Sequence, residues 1–114
     1  MIFLKKFNNS KNIRYSSFEK ALLLCKKRNL KNIVETGTSR GKTKFFFFKK
    51  YNWKDGMSTI MFAEYAKFVN GKLHTCDISK KNIENARKFT LKLNNYINFY
   101  IDDSINFLQN FKYK

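Results

Sequence analysis

Residues 32–41 read NIVETGTSRG, a short apolar run that ends at Glu35 and passes into a glycine turn. The run is too short for a helix and is rich in β-branched residues, which is typical of a buried strand. Two further segments have the same character, Lys72 to Asp77 and Ile97 to Ile101. These three segments are the predicted strands of the fold.

Helices are predicted around and between the strands, because apolar residues recur there at helical spacing. The segments are 15–30, the stretch from Ser58 to Asn70, 79–93, and the stretch from about Ser104. Strands that alternate with such helices imply right-handed crossovers and a parallel sheet. The predicted fold class is α/β, a partial Rossmann-like three-layer sandwich with about three parallel strands and flanking helices.

Some local details of the helices are also predicted. Ser58 or Thr59 is expected to cap the second helix, and Ser79 the third. The last helix is expected to turn one apolar side inward, formed by Phe107, Leu108 and Phe111.

The chain of 114 residues is one domain at most, with a helical segment over 1–30 and a βαβαβα core over 31–114. Residues 42–55 interrupt the core pattern, because an aromatic run at 45–48 is bracketed by lysines and has no period. We interpret 42–55 as an inserted loop and a candidate lid. Its aromatic residues, with Trp53, suit either a packed hydrophobic insert or stacking on nucleic-acid bases.

The composition is strongly basic, with 24 Lys and Arg against eight Asp and Glu and a net charge of +16. Such a charge attracts nucleic acid, other phosphates and anionic lipid without a dedicated site. The lysines occur in every segment, which favours compositional drift over a selected patch. Nucleic acid is therefore a candidate partner on net charge alone.

Cys25 and Cys76 lack the spacing of a zinc site or a disulfide framework, so free thiols and no metal are expected. Met1 to Phe7 holds too short an apolar stretch for a signal peptide or a membrane span. The expected location is the cytoplasm, without membrane contact. His74 lies inside a predicted strand and is expected to be structural rather than a catalytic base.

The carboxylates are the most informative residues. Half of the acids fall at the carboxyl ends of the three predicted strands, namely Glu35, Asp77, Asp102 and Asp103. In an open parallel sheet, the ligand crevice lies outside those ends. The alternative is that the acids cap the following helices, as Asp103 can do for the last one.

A nucleoside ligand suits this arrangement. A carboxylate after the second strand can accept hydrogen bonds from both ribose hydroxyls, and Asp77 has that position. Gly37 and Gly41 lie in the turn after the first strand, where glycines allow backbone N–H groups to approach a ligand. The spacing of a phosphate-binding loop is absent, as is G-x-G-x-x-G, so a nicotinamide cofactor is disfavoured.

The three strand ends together resemble the motifs of the class I S-adenosylmethionine-dependent methyltransferases. Residues 34–38 (VETGT) resemble the first motif, 73–77 (LHTCD) the second and 98–104 (NFYIDDS) the third. The resemblance covers about 30–111.

The resemblance implies S-adenosyl-L-methionine as the cofactor. The glycine turn and its acid would face the amino and carboxypropyl end, and the acid of the second motif would hold the ribose. The third motif would accept the adenine amino group and donate a backbone N–H to a ring nitrogen, while a residue at the start of the second helix would complete the methionine pocket. In that order, the implied cofactor-binding residues are Glu35, Gly37, Thr38 and Gly41, then Asp77, then Asp103 and Ser104, and finally Ser58.

Two departures from the family follow. The interval from Glu35 to Asp77 is about twice the roughly 20 residues of the dinucleotide-type fingerprint, so the insert must loop out. The fold of the family also continues through further strands that shape the acceptor site. The chain is therefore expected to be a truncated, methyltransferase-like protein that binds the cofactor without its own acceptor site, and the methyl acceptor is unknown.

An uncovered sheet face and edge would favour a homo-oligomer or a complementing chain. The alternative function is a small basic nucleic-acid-binding protein without catalytic activity, in which the acids at the strand ends hold no ligand.

Overall fold

The computed structural model describes residues 1–10, 12, 14–38, 42–45, 48–51 and 58–111. Its helices are α1 Tyr15–Lys27, α2 Ser58–Val69, α3 Lys80–Phe89 and α4 Ser104–Asn110, and two 3₁₀ helices cover Ile2–Phe7 and Leu91–Tyr96. Its strands are β1 Asn32–Thr36, β2 Lys42–Phe45, β3 Phe48–Tyr51, β4 Lys72–Asp77 and β5 Ile97–Ile101.

The central feature is a three-stranded parallel sheet with the order β1-β4-β5. Glu35 lies beside Thr75, and Asp77 lies beside Ile101. Helices flank this sheet, so the predicted α/β class with three parallel strands is confirmed. The bounds of β4 and β5 are those predicted from the sequence, and β1 ends at Thr36.

One face of the sheet holds the hydrophobic core. Leu73 is fully buried there with Ala63 and Ala66 of α2, together with Leu93 and Ile97. Glu35 and Thr75 point to this same face, because side chains two residues apart on a strand share a face. The helix α2 connects β1 to β4 and α3 connects β4 to β5, as expected for right-handed crossovers.

The opposite face is covered by α4 only in part. The rings of Phe107 and Tyr100 lie 4.9 Å apart, and His74 packs edge-on against Phe111. Val34 on β1 points to the same side of the sheet as His74 and is 41% exposed. This incomplete cover leaves apolar surface on β1.

The last helix differs from its prediction at one position. Leu108 was expected on the buried side of α4, but it is 54% exposed. Phe107 is buried against the sheet, and successive residues of a helix point about 100° apart. Leu108 therefore projects about 100° away from the side of α4 that Phe107 presents to the sheet.

Helices α1 and α2 end in the same way before they lead into a strand. Asn29 and Asn70 have positive φ angles of 56° and 54°. The Leu30 amide donates to the Cys25 carbonyl, and the Gly71 amide donates to the Ala66 carbonyl. These are Schellman motifs, in which a left-handed residue closes the helix. Consequently α1 ends at Lys27, before residue 30.

The third helix is shorter than predicted. It ends at Phe89, and the Thr90 hydroxyl donates to the Ala86 carbonyl at 2.8 Å. The 3₁₀ helix Leu91–Tyr96 then brings Leu93 into the core. Ile83, Ala86 and Leu93 are all buried, but two different helices carry them.

The insert has structure that the sequence pattern did not predict. Part of the insert 42–55, interpreted as a loop, forms the antiparallel strands β2 and β3. Its aromatic run and Trp53 lie outside the described side chains.

At the start of the chain, Leu4 and Phe7 are buried in one cluster with Leu22. Within the described residues, no helix is long and apolar enough to cross a membrane.

Candidate cofactor-binding site at the carboxyl edge

The carboxyl ends of the three parallel strands lie side by side. The Gly37 amide donates to the Cys76 carbonyl at 2.9 Å, and the Asp102 amide donates to the Asp77 carbonyl at 3.1 Å. We call this end of the sheet the carboxyl edge. Its polar and glycine residues are Glu35, Gly37, Thr38, Asp77, Asp102, Asp103 and Ser104.

Glu35 is buried at this edge, with 7% of its surface exposed. Both of its carboxylate oxygens accept hydrogen bonds from hydroxyl groups. Ser58 donates to Oε2 at 2.5 Å, while Thr59 and Thr75 donate to Oε1 at 2.7 and 2.8 Å. Glu35 therefore ties the start of α2 to the ends of β1 and β4.

The surroundings of Glu35 act on its pKa in opposite directions. Burial raises the pKa of this carboxyl above its ordinary value, because removal from water disfavours the charged form. The hydrogen bonds from Ser58, Thr59 and Thr75 lower the pKa, because they stabilise the carboxylate. Burial has the larger effect, so the net shift is upward.

Thr38 extends the buried polar network. Its hydroxyl oxygen lies 2.7 Å from that of Thr75, and both side chains are buried. Ser58 and Thr59 were predicted as alternative caps of the second helix, but both lie within α2 and donate to Glu35. A buried carboxylate requires donors, and these two hydroxyls supply them.

Gly37 has the backbone that the glycine-turn interpretation requires. Its φ is +84°, a conformation that residues with a Cβ rarely adopt. A Cβ built at this position would have no atom within 4 Å. The Gly37 amide is bonded to the Cys76 carbonyl, so this residue offers a ligand close access to the backbone rather than a donor.

Asp77 lies half-buried at the end of β4. Its Oδ1 accepts from the Ser79 amide at 2.8 Å, and the Asn82 side-chain nitrogen lies 3.4 Å from both oxygens. Ser79 in turn caps α3 by accepting from the Asn82 amide at 3.2 Å, as predicted. A carboxylate has about four acceptor positions, so these contacts leave capacity for a ligand.

Asp103 caps α4, which was the alternative interpretation of its position. Its Oδ1 accepts from the Asn106 amide at 2.8 Å, and the side chain is exposed. Asp102 accepts from the Asn106 side chain at 2.8 and 3.0 Å. Ser104 is the first residue of α4, where backbone N–H groups have no acceptor within the helix.

The structure thus divides the predicted site residues into two groups. Glu35, Thr38 and Ser58 are buried and belong to one polar network with Thr75. The other described residues lie on the accessible part of the edge, and they are Gly37, Asp77, Asp103 and Ser104. Gly41 lies outside the described residues.

Sequence reasoning missed Thr75 and Asn82. Thr75 shares a strand face with Leu73, so a hydroxyl at that position has to find a partner inside the core. The two-residue spacing between Leu73 and Thr75 could therefore have predicted that Thr75 is buried. Asn82 carries no such signal, because its contact with Asp77 depends on the turn between β4 and α3.

His74 has the surroundings of a structural histidine. It is half-buried on the face opposite Glu35, and its Nδ1 lies 3.3 Å from the Tyr100 hydroxyl and 3.4 Å from the Asn98 side chain. Burial lowers its pKa, and the charge of Lys72 acts in the same direction. Both effects favour the neutral ring inside this aromatic cluster.

The cysteines add no metal geometry to the edge. Cys76 is a buried free thiol whose pKa is raised by burial, and Cys25 is also free and half-buried. Over the described ranges, no group of three His, Cys, Asp or Glu residues is placed to hold a metal ion.

A separate groove of about 400 Å³ runs along β5. The guanidinium carbon of Arg87 lies 5.2 Å from the centre of the Phe99 ring in this groove. The groove does not include the carboxylates at the strand ends. Its lining residues are Arg87, Asn94, Ile97, Asn98, Phe99 and Tyr100.

No protein-family model matches the chain, and no curated protein matches it either. The candidate site is defined by the geometry of the carboxyl edge.

Proposed function

We propose that this chain binds S-adenosyl-L-methionine across its carboxyl edge, as the cofactor-binding part of a class I methyltransferase-like protein. One observation carries the proposal: three adjacent parallel strands end side by side, and each is followed by a group that such a cofactor needs. These groups are a glycine with open space at Gly37, a half-buried carboxylate at Asp77 and an exposed carboxylate at Asp103.

The chemistry of the edge favours a nucleoside without phosphates. Carboxylates are acceptors, so they suit ribose hydroxyls and an adenine amino group, and they repel phosphate. Asp77 has the position for the ribose. Asp103 can cap α4 and still accept from adenine, because its two oxygens offer more acceptor positions than the cap uses. The positive sulfonium and ammonium groups of the cofactor suit an acidic edge.

Glu35 has an indirect role in this proposal. Its oxygens are engaged by hydroxyl groups of the protein, so it positions the start of α2 beside the glycine turn and does not contact the ligand. Ser58 serves the same purpose through its hydroxyl. Methyl transfer depends mainly on the alignment of donor and acceptor, and the carboxyl edge would align the donor.

A titration tests the proposal. Binding of S-adenosylhomocysteine is measured by calorimetry with the unchanged chain, Asp77→Ala and Glu84→Ala. Glu84 is an exposed carboxylate within α3, so its removal matches the change in charge. We expect Asp77→Ala to weaken binding at least tenfold, because hydrogen bonds to a charged group are worth about 1.5–3 kcal/mol. Glu84→Ala should leave binding unchanged.

Two outcomes would contradict the proposal. The unchanged chain would show no binding at millimolar S-adenosylhomocysteine, or both substitutions would weaken binding equally. Adenosine, titrated in parallel, separates recognition of the nucleoside from recognition of the methionine end. Adenosine binding should depend on Asp77 to the same degree.

A further inference from the structure

The opposite end of the sheet is made of strand starts and helix ends. The Lys72 amide donates to the Lys31 carbonyl at 3.0 Å, and the Lys72 ammonium donates to the Asn95 carbonyl at 3.0 Å. The Tyr65 hydroxyl donates to the Leu30 carbonyl and so fixes the end of α1 beside α2. We call this end the amino edge. Its basic residues are Lys26, Lys27, Arg28, Lys31, Lys67, Lys72, Arg87, Lys88 and Lys92.

The described acidic residues avoid the amino edge, whereas basic residues lie at both edges, as Lys80 and Lys81 do at the start of α3. Among the residues that the structure describes, no carboxylate lies on the amino edge and no basic residue of that edge forms an ion pair. The ion pair found within the described chain joins Lys6 to Glu64 at 2.9 Å, away from this edge. The described acids occupy the carboxyl edge or the bodies of helices, and they are Glu19, Glu35, Glu64, Asp77, Glu84, Asp102 and Asp103.

The helix dipole explains only part of this distribution. Basic residues in the last turn of a helix complement the partial negative charge there, which accounts for Lys26, Lys27, Lys67, Arg87 and Lys88. Lys31 lies directly before β1, where no helix dipole favours it, whereas the Lys72 ammonium is bonded to the Asn95 carbonyl at the end of a 3₁₀ helix. Exposed cations without acidic neighbours repel one another, so a surface of this kind is favourable when a polyanion covers it.

Aromatic groups accompany the cations at two places. Phe68 in the last turn of α2 is 45% exposed, and the Lys26 ammonium lies 5.8 Å from the centre of its ring. At the far side, Arg87 and Phe99 line the groove of about 400 Å³ beside β5, together with the side-chain amides of Asn94 and Asn98. The exposed Phe68 ring and the Arg87 guanidinium over the half-buried Phe99 ring provide stacking surfaces for bases, and amides can hydrogen-bond to base edges.

We propose that the amino edge binds single-stranded nucleic acid. The phosphates lie along the lysines at the helix ends, one base stacks on Phe68, and another enters the groove of Arg87 and Phe99. A concave groove that combines a guanidinium, a ring and amides suits an unpaired base better than the flat surface of a membrane. The site is independent of the proposed cofactor site, because a strand of five residues separates the two edges by about 17 Å.

Two triple variants of equal charge test the location. Lys27, Lys67 and Lys88 on the amino edge are changed together to Gln, and Lys20, Lys80 and Lys81 away from it are changed together to Gln. All six side chains are exposed. Binding of a fluorescein-labelled 20-nucleotide oligouridine is measured by anisotropy between 50 and 300 mM KCl.

The amino-edge triple should weaken binding at least tenfold at 50 mM KCl. Its slope of log K against log salt should become shallower by about 2, because each lost phosphate contact on a single strand contributes about 0.7. The control triple should change the affinity less than twofold. Circular dichroism of both triples should match that of the unchanged chain.

A second variant tests the stacking part without a change of charge. Arg87→Lys keeps the cation but loses the planar guanidinium over Phe99. We expect about fivefold weaker binding with an unchanged salt slope.

Three results would overturn the proposal. The first is an equal loss in both triples, which would leave only net charge as the cause. The second is tighter binding to phosphatidylglycerol vesicles than to the oligonucleotide, which would indicate a membrane surface. The third is no binding to oligouridine at 50 mM KCl.

Discussion

The two edges of the parallel sheet use polar residues in opposite ways. At the carboxyl edge, Glu35 is directed into the protein and is held by three hydroxyl groups. At the amino edge, the backbone is packed closely and the charges point outward. Gly71 is so close to β1 that an added Cβ would lie 1.8 Å from the Lys31 carbonyl oxygen.

This difference follows from the direction of the chain. Every strand of the sheet runs the same way, so all strand-to-helix turns lie at one edge and all helix-to-strand turns at the other. Turns that enter a helix favour acceptors such as Asp103, and turns that leave a helix favour Asn, Gly and Lys. The alternation of strands and helices thereby places candidate ligand contacts of opposite charge on opposite edges.

The largest effect is expected from Glu35→Ala. The substitution leaves the Ser58, Thr59 and Thr75 hydroxyls without their buried acceptor, and each such loss costs about 1–3 kcal/mol. We expect the free energy of unfolding to fall by about 3 kcal/mol or more in urea denaturation. Glu84→Ala, on the exposed side of α3, should stay within about 0.5 kcal/mol of the unchanged chain. Equal effects would show that the buried network does not stabilise the fold.

Glycine substitutions compare the two edges directly. Gly71→Ala introduces a backbone clash with Lys31 that only a shift between β1 and β4 can relieve, so we expect a loss of about 3 kcal/mol. Gly37→Ala has open space around its Cβ, so its cost is limited to the positive φ, about 1–2 kcal/mol. Thermal melts followed by circular dichroism rank the two variants. The reverse ranking would contradict the close packing of the amino edge.

The three strands and their alternation with helices could be predicted from the sequence, because turn signals such as Asn70-Gly71 bound short apolar runs. The Glu35 network could not, because its partners are 23 to 40 residues away in the chain and come from two other elements. The alternation along β4 marks Thr75 as buried, but it contains no information on which residues Thr75 contacts. The strands β2 and β3 were missed for a related reason, since an aromatic run without alternation gives no period to read.

The same reasoning explains why Asp103 received two interpretations. A carboxylate just before a helix satisfies the rule for a cap and the rule for a ligand crevice at once. The structure shows the cap, and the ligand role stays a prediction. Asp77 differs, because it is the half-buried last residue of β4 and does not cap a helix, although its Oδ1 also accepts from the Ser79 amide.

The pH dependence of stability provides a smaller test of the carboxyl edge. The pKa of Glu35 is raised in the folded chain above its ordinary value of 4.5, so the folded chain binds a proton more tightly than the unfolded chain. This contribution is fully present below about pH 4.5 and is lost as the pH rises through the folded pKa.

Glu35→Gln removes the carboxyl group that titrates. The stability advantage of the unchanged chain over Glu35→Gln should therefore shrink as the pH is raised from 4 to 7, measured by urea denaturation at each pH. An advantage that grows over this interval would show that the hydroxyl groups outweigh burial.

The smallest effect is expected from the accessible part of the same edge. Asp103→Ala removes the hydrogen bond from the Asn106 amide to Oδ1 at the start of α4, and the loss of a cap costs about 1 kcal/mol. Asp103→Asn retains a capping oxygen without the charge, so it should restore most of that stability.

The Asp103→Ala and Asp103→Asn variants together separate the capping role of this residue from its proposed ligand role. If Asp103 also accepts from adenine, Asp103→Asn should weaken S-adenosylhomocysteine binding although the helix is capped, whereas a residue that only caps would leave binding unchanged in the Asn variant. Because α4 has seven residues and lies at the margin of the sheet, its loss should perturb Phe107 and the His74 cluster but not the Glu35 network at the other face.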